Sequence, residues 1–416
     1  LKTNSLRTLF ITREVPYPPR GGASLRNWQN INIINQYGPV AVFSASNWTP
    51  DYTSIPGVQV WQHQNVATQR QPLEKVARRL WWLRPLADPD TDWSYSHTAA
   101  ENLDQLIKTF APNLVICKEL WVYRYLKTIK RHSCPIIFDD YNVESVLFSQ
   151  NHHSPPNLKA RLKATIQLGR IQAIERDFIR QCQQVWACSA EDAQLLQQLY
   201  PHPVPIHVIP NSIDVDYYHG VSSGQISPPP ELNHHSQTIV FIGQLSYPPN
   251  TVAGELLVTE IYPRLRQQYP QCRLIIVGRN PSPTMLAAAA QNPGITITGS
   301  VPDVRPYLAA ASIILVPLLQ GSGTRLKILE AFAANRPVVS TAKGAEGINA
   351  IDGEHLLIGN TIDELVAGVT QLWSNPELAA KLAANAYQLV QAEYSWAAVQ
   401  QRVETAILPL LDGRID

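Results

Sequence analysis

Short apolar runs alternate along this chain with longer stretches whose apolar residues recur at helical spacing. In the first half, TLFIT (8–12), VAVFSA (40–45), VQVWQ (58–62), LVICK (114–118), PIIFD (135–139) and QVWACS (184–189) read as strands. Each is bounded by Pro, Gly, Asn or Asp. Several are apolar at consecutive positions, as in parallel strands covered by helices on both faces. Residues 23–36, 98–109 and 158–180 read as helices, and Ala99, Leu103, Leu106 and Ile107 recur at helical spacing in the second. The pattern restarts after HGVSSGQISPPPELNHHSQ (219–237), whose Pro, Gly and Ser content predicts a linker. Strands are then expected at TIVFIG (238–243), RLIIVG (273–278), ITITGS (295–300), SIILVP (312–317), PVVST (337–341) and HLLIG (355–359). Helices are expected at 251–268, 303–310, 325–334, 361–373, 376–392 and 396–410.

This alternation predicts two doubly wound, Rossmann-like α/β domains with parallel sheets, and no short-period repeat. The expected boundaries are 1–215 for the first domain, 216–237 for a linker and 238–394 for the second domain. The last stretch, 395–416, is expected either to cross back to the first domain or to end as a terminal helix on the second. Ligands on such sheets sit outside the carboxyl ends of the strands. The cleft between two such domains is therefore the expected binding site, and residues just after each strand are the informative ones.

The 416 residues are 45% hydrophobic and 16% charged, the composition of a globular chain of two or three domains. A formal net charge of +1 argues against a strongly electrostatic nucleic-acid binder and leaves room for local basic patches. No apolar run reaches the ~18 residues of a spanning helix. The start LKTNSLRTLFITREVPYP, a short apolar run followed by charge, is not expected to be a signal peptide. Cys117, Cys134, Cys182, Cys188 and Cys272 are odd in number and form no CxxC. Buried thiols in a reducing compartment, hence a cytoplasmic location, are the expectation.

The segment SIILVPLLQGSGTRLKILEAFAANRPVVST (312–341) carries the most chemistry. A strand leads into the turn Gly321-Ser322-Gly323, and a helix follows with Thr324 expected as its N-cap. Free N–H groups at a helix start suit a phosphate. Arg325 and Lys327 are cations in the first turn, where they oppose the dipole, so a bound anion accounts for them better than helix stability does. Glu330, three residues after Lys327, is placed to pair with it. The plain alternative is a solvated helix after an ordinary glycine turn.

Near the start, Arg20-Gly21-Gly22 sits between the first strand and a helix, where glycines let backbone N–H groups approach a ligand. A flexible turn is the alternative. In PIIFDDYNVES (135–145), Asp139, Asp140, Tyr141, Asn142 and Glu144 cluster after a strand. Two adjacent carboxylates do not make a metal site, and His152–His153 and His234–His235 lack i,i+4 spacing, so no metal is expected.

With these residues in view, the chain resembles the GT-B fold glycosyltransferases, specifically the retaining enzymes of glycosyltransferase family 4. That family has two glutamates eight positions apart around this turn and helix. The second matches Glu330, while Ser322 stands in place of the first, so the segment is similar to a subgroup reading G-x-G-T-R-x-K-x-x-E. VIPNSIDVD (208–216), FIGQLSYPPN (241–250), IIVGRN (275–280) and ITGSVPDVRPYL (297–308) also resemble family segments.

The resemblance implies transfer of a sugar from a nucleoside diphosphate sugar to a glycan, lipid-linked or small-molecule acceptor, as in polysaccharide biosynthesis. It implies retention of anomeric configuration without metal or other cofactor. By position, Glu330 would hold the ribose. Gly323, Thr324 and Arg325 would meet the diphosphate, Gly243 stands in the first loop of the nucleotide domain, and Lys327 would add charge missing from that loop. Gly278, Arg279, Ser300 and Val301 would line the base pocket, and Ser322 would stand by the donor sugar. Gly21 and Gly22 would face the diphosphate from the other domain, and Tyr141 stands where many relatives have a catalytic His. Arg325, Lys327 and the helix start would stabilise the phosphate as it leaves. The departing phosphate would help deprotonate the acceptor in a front-face transfer. Ser322 and Tyr141 keep two alternatives open, a sugar-nucleotide epimerase on the same fold and a non-catalytic nucleotide-sugar-binding protein.

The segment EKVARRLWWLRPL (74–86) mixes Arg78, Arg79 and Arg84 with Trp81 and Trp82. It reads either as a peripheral membrane contact, which Arg161, Lys163 and Arg170 would extend, or as a surface helix with its tryptophans packed inward.

Overall fold

A computed structural model describes residues 6–19, 21–151, 157–232, 237–321 and 325–411. The chain forms two compact units, Leu1–Pro210 together with Gln400–Asp416, and Asn211–Val399.

The first unit is built on a seven-stranded sheet. Its strands are β1 (Thr8–Thr12), β2 (Val40–Ser46), β3 (Val60–Asn65), β4 (Leu114–Lys118), β5 (Ile136–Asp140), β6 (Gln184–Ala187) and β7 (Ile206–Val208). All pairings are parallel, in the order β3-β2-β1-β4-β5-β6-β7. Every residue of β1, β2, β4, β5 and β6 is buried, which is why these strands read as unbroken apolar runs. The second unit carries β8 (Thr238–Ile242), β9 (Arg273–Val277), β10 (Ile295–Gly299), β11 (Ile313–Val316), β12 (Val338–Ser340) and β13 (Leu357–Ile358). Their parallel order is β10-β9-β8-β11-β12-β13.

Both sheets are doubly wound. Strands are added outward from β1 and then from β4 in one unit, and from β8 and then β11 in the other. The loops after each such pair diverge and leave a crevice at the carboxyl edge. Both sites described below lie at these switch points.

The expected strands appear within two residues at each end, except that β3 runs three residues further than expected. β7 escapes the pattern because three half-buried residues, IHV, are too few to show a period. The helix Ala190–Leu199 escapes it because only Leu196 of it is buried. The residues expected to open the linker instead form the helix Val215–Ser222, whose Val215, Tyr218 and Val221 join the core of the second unit. The final helix, Trp396–Leu411, passes into the first unit from Gln400 on. There Gln184 Nε2 donates to the Ala406 carbonyl at 2.6 Å.

The five cysteines are free thiols, and all but Cys134 are fully buried. Among the described residues no helix is long and apolar enough to cross a membrane.

Candidate functional site

In the second unit the chemistry gathers after β8 and β11. The helix after β11 runs Leu326–Ala333 and buries Ile328, Leu329 and Phe332. Its N-cap is Arg325, not Thr324. Thr324, with Ser322 and Gly323, lies outside the described residues. Arg325 is 6% exposed, and its Nη2 lies 3.8 Å from the Glu346 carboxylate. Gly321 has φ +107°, and a Cβ there would come within 3.2 Å of the Arg325 guanidinium and of Pro249. Glycine at 321 thus lets the turn bend left-handed and lets Arg325 lie against it.

Lys327, in the first turn, reaches back to the β8 loop. Its Nζ donates to Asn250 Oδ1 at 2.6 Å and stands 4.4 Å from the Phe241 ring centroid. A Cβ on Gly243 would sit 2.9 Å from Asn250 Nδ2 and 3.1 Å from Lys327 Nζ, so this glycine makes room for the pair. Burial, and then the neighbouring Arg325, push the Lys327 ammonium down to about 7, against the pull of Glu330. The pairing expected between Lys327 and Glu330 gives way to separate partners. Glu330, half-buried, accepts from Tyr218 Oη at 3.1 Å. Burial raises its pKa, while Tyr218 and Lys327 oppose the rise.

Gly278, Arg279, Ser300 and Val301 follow β9 and β10. Arg279 Nη2 donates to Gln244 Oε1 at 2.8 Å, which ties the β9 loop to the β8 loop. Ser300 is exposed and Val301 packs on the core. Gly278 is sterically required, because a Cβ there would fall 1.8 Å from the Gly243 carbonyl oxygen. Gly278→Ala should therefore push these two loops apart and cost about 1–3 kcal/mol or more. Thermal unfolding would check this, and an unchanged melting temperature would refute it.

In the first unit the site is a buried polar network at the β1/β4 switch point. Asp139, at the end of β5, is fully buried and accepts from Arg26 Nε at 3.0 Å, Arg26 Nη2 at 2.6 Å and Asn30 Nδ2 at 2.8 Å. It also pairs with Lys118, the last residue of β4. Burial, and then the Arg26 charge, drive the Lys118 ammonium well below its ordinary value. Glu119 follows with φ +74°. Its Oε1 accepts from Thr12 Oγ1 at 2.9 Å and from the amides of Arg13 and Glu14 at 3.1 Å, which clasps the loop after β1.

That loop leads to Gly21 and Gly22, both exposed. Gly21 is extended, and a Cβ on it would meet no atom within 4 Å. Neither its conformation nor its packing requires glycine, and its amide donates to Ser24 Oγ at 3.0 Å. Arg20 lies outside the described residues. Tyr141 donates to Asn27 Oδ1, and its ring centroid is 5.3 Å from Lys118 Nζ. Burial, and then Glu119, hold its phenol well above the usual value. Burial, and then the charges of Glu175, Glu144 and Asp192, raise the pKa of Asp140 well above normal. Among the described residues no three His, Cys, Asp or Glu side chains group as metal ligands do. His152, His153, His234 and His235 lie outside the described residues.

Comparison with known proteins follows the same division. The family described as "Glycosyl transferases group 1" matches residues 236–375, and "Glycosyltransferase Family 4" matches residues 66–217. The chain belongs to this glycosyltransferase family.

The glycosyltransferase has the GT-B fold of its structural neighbours. A sucrose-phosphate synthase from Thermosynechococcus elongatus superimposes with TM-score 0.72 at 16% identity, covering 98% of this chain and 100% of that one. HepE from Anabaena, in complex with UDP-glucose, gives 0.62 at 16%, covering 96% and 99%. The lipopolysaccharide 1,2-N-acetylglucosaminetransferase of Salmonella typhimurium is 22% identical over 231 residues, 51% of this chain and 59% of that protein. The glycosyltransferase spans about half the length of the curated relatives it matches.

Sequence reasoning missed Asn250, Tyr218, Arg26, Lys118 and Glu119. Two left a signal. Lys118 is a cation ending an otherwise apolar strand, and Arg26, Asn27 and Asn30 are polar residues on the buried face of the helix Gly22–Asn35. Polar side chains in buried positions must find partners there.

Proposed function

We propose that this glycosyltransferase moves a sugar from a nucleoside diphosphate sugar to a hydroxyl of a glycan, lipid-linked or small-molecule acceptor. The transfer retains anomeric configuration and uses no divalent metal. The observation that carries the reading is the placement of Arg325 at the N-cap and Lys327 in the first turn of one helix, at the β8/β11 switch point, with Lys327 drawn toward Gly243. Two cations and free helix amides would meet a diphosphate there and stabilise the charge that develops as it leaves. Glu330, held by Tyr218, is suited to accept from ribose hydroxyls. Gly278, Arg279, Ser300 and Val301 would frame the base. Ser322, Gly323 and Thr324 are assigned to the donor by their positions in the sequence. In the first unit, Gly21 and Gly22 would face the diphosphate at the start of the helix Gly22–Asn35, and Tyr141 would present a phenol to the reacting sugar. The HepE complex with UDP-glucose makes UDP sugars the first donors to try.

The test is thermal unfolding with UDP, GDP and ADP, each with and without EDTA, followed by NMR of the product anomer. One nucleotide at about a hundred times its Kd should add roughly 2.7 kcal/mol of stability, unaffected by EDTA. The linkage in the new glycoside should keep the donor's configuration. No stabilisation by any nucleotide would sink the donor site. Binding without a new glycoside would favour a nucleotide-sugar-binding protein, and a changed sugar nucleotide would favour an epimerase.

A further inference from the structure

The first unit carries a surface that the donor chemistry does not use. The helix Pro72–Arg79 leaves Leu73, Val76 and the following Leu80 exposed at 80%, 53% and 40%. The next turn buries Trp81 and turns Trp82 and Leu83 outward. This splits the two expectations for the segment, with one tryptophan packed inward and its neighbour facing water.

A second element continues the surface. In the 24-residue helix Leu158–Gln181, the buried residues begin only at Ile171. Its first three turns therefore have no face in the core. Leu158, Leu162 and Ile166 are spaced by four and form one exposed stripe. The next residue of that stripe, Arg170, donates to the carbonyls of Pro85 at 3.0 Å and Trp82 at 3.2 Å. The stripe and the tryptophan turn are thus joined into one apolar surface. The start of a helix with large exposed apolar residues and no buried residue calls for a partner.

Charge selects that partner. Residues 73–86 hold four cations and one carboxylate, with Arg84 paired to Asp92, and residues 158–170 hold four cations and no carboxylate, in a chain whose net charge is +1. The one carboxylate, Glu74, is occupied by His97 and by the amide of Gln71. Lys159, Arg161 and Lys163 are exposed beside the stripe. Lys75, Arg78 and Arg79 line an open pocket of about 400 Å3 with Arg70 and Pro89. Arg70 is 8% exposed and held by Asn47 Oδ1 at 3.0 Å, so one cation of the pocket is fixed in place.

We infer that this face docks on a lipid bilayer bearing anionic phospholipid. Leu73, Val76, Trp82, Leu83 and the 158/162/166 stripe enter the interface, and a headgroup phosphate sits in the Arg70/Lys75/Arg78/Arg79 pocket. Apolar insertion and attraction to an anionic surface reinforce each other in such an element, and neither alone gives firm binding. The inference goes beyond the donor reading and does not depend on it.

The test is sedimentation of the full chain with phosphatidylcholine vesicles containing about one-third phosphatidylglycerol, against pure phosphatidylcholine. The chain should bind the first and not the second, and salt at about 0.5 M should release it. Removing three cations in K159Q/R161Q/K163Q should weaken partition about a hundredfold, at about fivefold per charge. Leu162→Ser should weaken it further. All four positions are exposed, so melting and nucleotide-induced stabilisation should be unchanged, which separates this result from the fate of the donor site. Absence of binding to the anionic vesicles, equal binding to both kinds, or undiminished binding by the triple variant would each overturn the inference. So would a dimer in solution dispersed by Leu162→Ser without vesicle binding, which would assign the face to a second copy of the chain.

Discussion

Lys327→Ala should lower kcat about 100- to 1000-fold and abolish stabilisation by the nucleotide diphosphate, while the fold persists. The magnitude is that of removing one preorganised charge donor from a developing oxyanion. The fold should persist because Lys327 is half-buried and its partner Asn250 keeps the bond from its Nδ2 to the Gln244 carbonyl. A kcat within a few fold of the parent would remove Lys327 from the reaction. The same residue predicts a pH dependence. With the ammonium held near 7 in the ligand-free protein, the amine is largely neutral above that pH. A diphosphate favours the charged form, so binding above pH 7 must take up a proton. Affinity for UDP should strengthen as pH falls from about 9 toward 7, by up to tenfold per unit, and then level off. Calorimetry at pH 8 in two buffers of different ionisation heat should report uptake approaching one proton, and none in Lys327→Ala. For the ligand-free fold, the unfolded chain holds the proton more tightly than the native one. The contribution of Lys327 to stability is thus fully present above the ordinary lysine value and is lost as pH falls through about 7.

Asp139→Ala should destabilise the first unit by about 3–5 kcal/mol, because it leaves the two buried cations Arg26 and Lys118 without their shared carboxylate. For a unit of this size, that is a fall in melting temperature of roughly 6–20 °C. The double variant Asp139→Ala/Lys118→Met should recover only part of the loss, since one buried cation is removed while Arg26 stays buried without its carboxylate. Calorimetry of the three proteins checks this, and a loss under about 1 kcal/mol for the single variant would contradict it. Nucleotide-induced stabilisation of the second unit should survive in the single variant, which distinguishes this effect from damage to the donor site.

The two predictions differ in how visible their residues are in the chain. Arg325, Lys327 and Glu330 fall within six residues of one helix start, so glycine turn, cation and carboxylate can be read together from local spacing. Their working partners cannot. Lys327 meets Asn250 on another loop, and Glu330 meets Tyr218 on a helix whose glycine and serine neighbours mask its short apolar spacing. The ion cluster is further from view. Arg26, Lys118 and Asp139 come from three segments, and nothing in the spacing between them says that parallel pairing brings β4 and β5 side by side under the helix Gly22–Asn35. The adjacent acids Asp139 and Asp140 look alike in sequence. One is held by two cations, while the other feels the charges of Glu175, Glu144 and Asp192.

By itself the sequence determined the strands, the two doubly wound units, the helix start with its two cations and the basic, tryptophan-bearing segment. These depend on period, apolar content and neighbours within a few residues, all of which are local. Only the tertiary structure decided which polar groups are paired, how far burial moves their charge, and that Arg170 joins two distant helices into one exposed face. Partner choice, desolvation and the continuity of a surface depend on distances across the fold, and chain order does not encode those one segment at a time.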